Sequence, residues 1–366
     1  MKQGKTLVEL AQELTHINNN TKDYIVPVER MHAEVVGDRV GLSFENGVKH
    51  DLTLNTWSSG QLASYADIPK AYFDRLNAEN PALLATNVNH SFERLSEVSN
   101  KNGKPETRMV RTVAGKVRGL LSSSYRIIDS YALLETILPI AQQHGLEVAS
   151  SEITDSKLYL KLLSPRLKAE VTTGDLVQYG VVISTSDVGG GAFRVEPIVH
   201  RLVCLNGLIM NVSKKVFHKG KSQAEDNIYE ILTDRTKELS QIAFFSQVRD
   251  MVNASLDPVN FEREVNKLRD ASQKKITNFD LPQVVEMTMR SVGITGDNKA
   301  KGILAALASG NEGAGLTQWG LINSFTRAAH SLDLDYESSI EMERAAGLIL
   351  ELPKKDWARI ADATAA

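Results

Sequence analysis

Two stretches of the chain concentrate side chains that could do chemistry, and that chemistry is phosphate binding. Residues 101 to 126 carry Lys101, Lys104, Arg108, Arg111, Lys116, Arg118 and Arg126 against Glu106 alone. On a strand, Arg108, Val110 and Thr112 share one side while Met109, Arg111 and Val113 share the other, and Lys116 and Arg118 share a face. Tyr125 could stack on a base while the adjacent Arg126 meets phosphate. The same pattern also fits a solvated sheet face with surface ion pairs, which contribute little. Residues 194 to 221 carry Arg194, Arg201, Lys214, Lys215, Lys219 and Lys221 against Glu196, with Phe217 and His218 inside the lysine cluster. Neutralising phosphates there would release counterions, although a solvated connector reads the same way. The expectation is that the two stretches converge into one exposed cationic track.

Other chemistry is less well supplied. Gly189, Gly190 and Gly191 free the backbone after Ser184, so successive amides could form an anion nest; a hinge or bulge between strands is the competing reading. The run is neither a Walker A loop nor a dinucleotide fingerprint, so no cofactor is expected. Asp187 could orient an amide there or hold Arg194. Cys204, with His200 or His218 as base, could be a nucleophile, but its apolar neighbours Leu202, Val203 and Leu205 favour a small buried hydrophobe. The eight histidines form no ligand array, and no metal site is expected. Glu341 and Glu343, like Asp333 and Asp335, are two residues apart and so do not share a helix face. A rival enzyme acting on a phosphorylated or nucleic-acid substrate would centre on Asp187, His200 and His218, brought together by the fold.

The 42 basic and 45 acidic residues give a net charge of −3, which excludes a wholly basic nucleic-acid coat but not a local patch. One cysteine excludes an internal disulfide framework. No apolar run reaches the ~20 residues of a membrane span. Glu9 and Glu13 fall where a signal peptide needs its apolar stretch. A cytoplasmic protein without a membrane partner is the expectation.

The elements that must position these residues divide the chain. Thr6 and Glu9 form a capping-box pattern for a helix over 6–17, with Leu7, Leu10, Leu14 and Ile17 at helical spacing. Strands are expected around 24–28, 39–44 and 50–54, with Asn46-Gly47 as a hairpin turn. Residues 59–98 read as helix broken at Pro69 and Pro81. Strand character returns from Met109 to Ile128, and a helix over 131–143 stops at Gly145. Strands follow at 147–151, 157–163, 169–171, 176–184 and 191–195, then an apolar run from Ile198 to Val212. Beyond Ser222 the periodicity is helical: a long helix through Val248, another from Pro258, then 281–292, 299–308, 317–331, 337–351 and a last one at Trp357. Trp319, Ile322, Phe325 and Ala329 form a core stripe, with Asn323 and Arg327 placed for polar contact to the β-rich part. The expected class is α+β: a β-rich body over 1–221 with a mixed or antiparallel sheet and crossing helices, then an all-helical domain over 222–366. The first part is mildly basic and the second acidic.

Several of these stretches carry a family resemblance: IPKAYFDRL, LLSSSYRIIDSYALL, VISTSDVGGGAFRVEPIVHRLVCLNGL and LTQWGLINSFTRAAH. In this order, from about residue 60 to 357, they resemble the family called domain of unknown function 932, or phage/plasmid-like proteins. The run from Arg201 to Gly207 is its most specific piece. Where members usually carry Asn-Ser-Glu-Val-Gly, this chain has Thr185-Ser186-Asp187-Val188-Gly189, keeping the acid and losing the amide. The resemblance implies a mobile-element setting and brings no activity with it. Together with the basic segments, it leads to the expectation of a non-enzymatic nucleic-acid-binding protein, for replication, recombination or single-strand annealing, with DNA ahead of RNA as partner. An annealing protein would form a homo-oligomer. A phage-encoded protein-interaction or inhibitor module, using the acidic helical part, is the second rival.

Overall fold

The computed structural model describes residues 2–45, 49–101, 105–203, 206–210, 214–216, 234–310 and 315–362. Thr6 opens α1 (Leu7–Asn20) as the capping box requires: its hydroxyl accepts from Glu9 N, and the Glu9 carboxylate accepts from Thr6 N at 2.8 Å. The buried stripe, Leu10 and Leu14, does not pack on the strands that follow it. It joins a core made by the chain beyond residue 128.

Between these two parts of one core the chain builds a separate lobe. It consists of β1 (Thr21–Pro27), β2 (Met31–Val36), β3 (Arg39–Glu45), β4 (Lys49–Leu54), α2 (Thr56–Tyr65), α3 (Lys70–Glu79), α4 (Pro81–Lys101), β5 (Thr107–Val113) and β6 (Lys116–Ser122). The strand order is β1-β5-β6-β4-β3-β2, antiparallel except for the β4–β6 pair. Val26, Leu42, Phe44, Val110 and Val117 on one sheet face pack against Leu62, Phe73, Leu84, Val88 and Phe92 of the helices. The expected helical stretch is indeed broken at Pro69, which caps α3, and at Pro81, which opens α4. Strand β2 was not anticipated, because its polar alternation through His32 and Glu34 leaves a short apolar signal. It is a sheet edge, and the Asn89 side chain of α4 accepts from Ala33 N (2.7 Å) and donates to Ala33 O (3.0 Å). The amide thus stands in for a neighbouring strand. The Asn46-Gly47 turn lies outside the described residues.

The second lobe starts with α5 (Ser130–His144) and continues with β7 (Glu147–Ile153), β8 (Leu158–Glu170), β9 (Leu176–Thr185), β10 (Phe193–Arg201), β11 (Asn206–Ile209) and β12 (Lys214–Val216). Its antiparallel sheet runs β11-β10-β9-β8-β7, and β12 also pairs with β10. The two strands expected at 157–163 and 169–171 are one strand, irregular between Leu163 and Lys168. Helices α6 (Asp234–Ser255), α7 (Pro258–Gln273), α8 (Leu281–Ser291), α9 (Asp297–Ser309), α10 (Gln318–Ser331), α11 (Tyr336–Leu350) and α12 (Lys354–Ala361) complete the chain. The class is α+β, β-rich first and helical after.

Alternation gives the second sheet two different faces. Leu160, Leu162, Val181, Ile183 and Val195 meet α1, α5 and α6. The opposite face carries Lys161, Glu196 and His200, and it is fastened to α11 by charge. Lys161 Nζ lies 2.6 Å from Glu343 Oε2 with both side chains fully buried; burial lowers the Lys161 pKa despite Glu343. Arg344 grips Glu196 at 2.5 Å. The helical region also shares one core with Val177, Tyr179, Val199 and Leu208 of the sheet. Trp319, Ile322, Phe325 and Ala329 lie in it, as their spacing implies. The polar contact to the sheet, however, comes from Trp319, whose indole donates to Asp175 Oδ2 (2.8 Å). Asn323 instead donates to Trp319 O within its own helix. Among the described residues no helix is long and apolar enough to cross a membrane.

Candidate functional site

The arginines of the β5–β6 pair are the first candidates, and the strand alternation sends them to opposite sheet faces. Arg111 is 2% exposed and Arg118 8%. Both converge on Asp187, itself 1% exposed, with Nη–Oδ2 distances of 3.7 and 3.2 Å. Arg111 also reaches Asp129 (3.0 Å) and Asp23 (3.4 Å). Asp23 sits where the chain enters the inserted lobe, Asp129 where it leaves, and Asp187 on the second lobe, so one guanidinium clasps the neck between them. Burial raises the Asp23 pKa, and Asp129 and Asp187 add to this against the pull of Arg111. Arg111 and Arg118 therefore correct the expectation of an exposed phosphate track: they are spent internally on carboxylates.

The loop that carries Asp187 completes the joint. Val188 is buried against Gly119, where an added Cβ would lie 3.1 Å from Val188 Cβ. Val188 O accepts from Trp57 Nε1 (2.9 Å) and Gln61 Nε2 (2.8 Å) of α2. The amides of Val188 and Gly190 donate to Ser186 Oγ (3.2 and 2.7 Å), so the anion nest is filled by its own serine. Tyr125 is not a stacking platform either: its hydroxyl donates to Ser186 O (3.3 Å), and burial pushes its pKa up to about 12.

The other candidates scatter. Arg201 is buried with Asp175 (2.5 Å) at the far end of β10. Lys116 is exposed at the β5–β6 turn, and Arg126, half-buried, lies 6.0 Å from the Phe244 ring centre. Lys214 and Lys215 fall on β12, opposite Val195 and Arg194. Cys204, His218, Lys219 and Lys221 lie outside the described residues. His200 pairs with Gln178 near one end of β9 while Asp187 lies just past Thr185 at the other; the strand between Gln178 and Thr185 alone spans roughly 23 Å at ~3.3 Å per residue. The rival centre on Asp187, His200 and His218 thus has its first two members at opposite ends of β9. Among the described residues no group of three His, Cys, Asp or Glu side chains could hold a metal ion.

Arg108 is the exception. On the face opposite Arg111, it borders a cleft of about 870 Å³ lined by Trp57, Gln61, Tyr65, Lys70, Leu120 and Gly189 among others. Trp57, Gln61, Ser64 and Tyr65 recur at helical spacing, so α2 turns one face to this cleft and the other, with Leu62 and Ala63, to the core. The Arg108 guanidinium lies 4.0 Å from the Tyr65 ring centre and 2.8 Å from Glu106. Its Nε is buried without a hydrogen-bond partner among the described residues. Burial drives the Tyr65 pKa up to about 12, so the ring stays neutral. Lys70, exposed, pairs with Asp74 in the surface geometry of neighbouring helix turns. The lining holds two cations and no carboxylate. The helical reading of 59–68 covers most of α2, but sequence reasoning gave its side chains no role; the trace they left was the pair of aromatics, Trp57 and Tyr65, eight residues apart.

No curated protein and no solved structure matches the chain. A family model described as Domain of unknown function (DUF932) matches residues 117–334. The match takes in β6, most of the second lobe and the helices through α10, including Asp187 and its loop. The chain belongs to the DUF932 family.

Proposed function

We propose that this is a non-enzymatic nucleic-acid-binding protein of a phage or plasmid, and that its contact is the cleft beside α2 rather than the buried arginines. One observation carries the reading: a concave space between lobes offers aromatic surface from Trp57 and Tyr65 and two cations, Lys70 and Arg108, whose paired carboxylates, Asp74 and Glu106, stand outside its lining. Base-stacking surface beside phosphate-pairing charge is the combination that binds a strand without reading its sequence. Clefts between lobes are also where ligands preferentially sit. The sequence resemblance to phage/plasmid-like proteins is what suggests a role in replication, recombination or annealing.

Fluorescence anisotropy with labelled DNA and RNA at ~50 mM salt tests the reading. Two cations predict a shallow salt dependence, with a log–log slope of about −1.4 for a single strand. Lys70→Glu, on an exposed position, is expected to weaken binding at least tenfold. Absence of binding to any single- or double-stranded nucleic acid at this salt overturns the proposal.

A further inference from the structure

Trp57 has a second side. Beyond it lies a separate hollow of about 510 Å³ that shares Thr56 and Trp57 with the cleft, and is lined by Asp155, Asp335, Glu337 and Glu341. The wall is rigid. The indole N–H is committed to Val188 O, and Thr56 N donates to Asp155 Oδ2 at 3.2 Å. Asn55 and Ser58 close the capping box of α2. Asp155 and the cap therefore occupy the positive end of this helix, where a phosphate would otherwise dock. Glu337 is partly buried, which raises a carboxyl pKa, yet hydrogen bonds from Thr154, Ser156 and Lys157 hold it below the usual value. Lys157 offsets that one carboxylate; Asp155, Asp335 and Glu341 stand beside it.

Charge thus changes between the two hollows that share Trp57: Lys70 and Arg108, each paired with one carboxylate, border the first, and four carboxylates with Lys157 alone to offset them border the second. A phosphodiester backbone that entered along α2 could not continue past Trp57 without running into like charge. Trp57 and Tyr65 are eight residues apart, about 12 Å along the helix at 1.5 Å per residue. At ~3.4 Å per stacked nucleotide that length takes three or four bases. A base can lie on these rings only if it is out of a duplex stack.

We infer that the cleft receives the free end of a single strand and stops it at Trp57, rather than letting a strand run through. This rests on the nucleic-acid reading above. The protein caps ends: its affinity for linear strands reaches a plateau at about four nucleotides, and strands without ends are excluded.

The test is competition against a labelled linear 12-mer at ~50 mM salt, using an unlabelled linear single strand and a covalently closed single-stranded circle of equal length and sequence. The expected result is at least tenfold weaker competition by the circle. Glu341→Lys, at an exposed position on α11, is expected to raise the circle's affinity at least threefold and to leave that of the short linear strand unchanged. Equal competition by circle and linear strand overturns the inference while the binding function stands. No binding of either overturns both.

Discussion

Replacing Asp187 by Asn separates a structural clasp from a ligand-facing acid. The substitution keeps size and one acceptor oxygen, but leaves Arg118 and part of Arg111 charged and buried without their shared carboxylate. Breaking a buried pair from one side costs about 3–5 kcal/mol. The retained acceptor and the remaining Asp129 and Asp23 contacts of Arg111 place this case at the lower end, about 3 kcal/mol. With an unfolding entropy of about 2.1 cal/mol/K per residue, a chain of this length melting as a unit would lose about 4 °C. Urea denaturation and thermal melts measure the loss, and limited proteolysis at 123–129 reports loosening of the neck. Because buried pairs are poorly screened, ~0.5 M salt should leave the difference in place. A variant as stable as the parent within ~0.5 kcal/mol, yet defective in ligand binding, would refute the clasp and return Asp187 to the functional residues.

Three further outcomes are expected. His330 lies 3.4 Å from Glu343, and burial, followed by positive neighbours that include Lys161, His200 and Arg327, lowers its pKa from 6.5 to about 2. The unfolded chain therefore binds a proton that the folded chain refuses, so stability is complete above pH 6.5. It falls by up to about 1.4 kcal/mol per unit below that, and His330→Gln should flatten this slope in urea titrations between pH 4.5 and 7. Asn89→Ala strips the cover from Ala33 on β2; it should cost about 1–3 kcal/mol in chemical denaturation and increase self-association in light scattering. Glu343→Leu alone should cost about 3–5 kcal/mol by abandoning Lys161, whereas Lys161→Met with Glu343→Leu should come back close to the parent in a double-mutant cycle.

What could be read from the residue string followed periodicity and punctuation. The capping box of α1, the proline breaks before α3 and α4, and the Trp319 stripe were legible because each depends on residues a few positions apart. The partner of α1 was not, since nothing near Leu10 or Leu14 says that their core lies beyond residue 128. The basic stretch failed for a related reason. Its composition is unbalanced, but the carboxylates that balance it, Asp23, Asp129 and Asp187, come from outside the window. Alternation did separate Arg108 from Arg111; what it could not show is which face would be covered by the Val188 loop. The Thr185–Gly189 run stands out as a motif, and its acid lies in the joint between the lobes, paired with Arg111 and Arg118.

The insertion of one lobe between α1 and α5 also orders events during synthesis. Leu10 and Leu14 are made before the lobe that follows them, yet the rest of their core begins only at Ile128. At ~5–20 residues per second, that is a wait of roughly 5–20 s. A lone helix of this length is marginal in water, so α1 spends the interval unfolded while the contiguous lobe after it can already form. The Asp23 side of the Arg111 clasp closes early, Asp129 joins as the chain passes the neck, and Asp187 arrives last. The two lobes are therefore latched in the order in which the ribosome delivers the three aspartates.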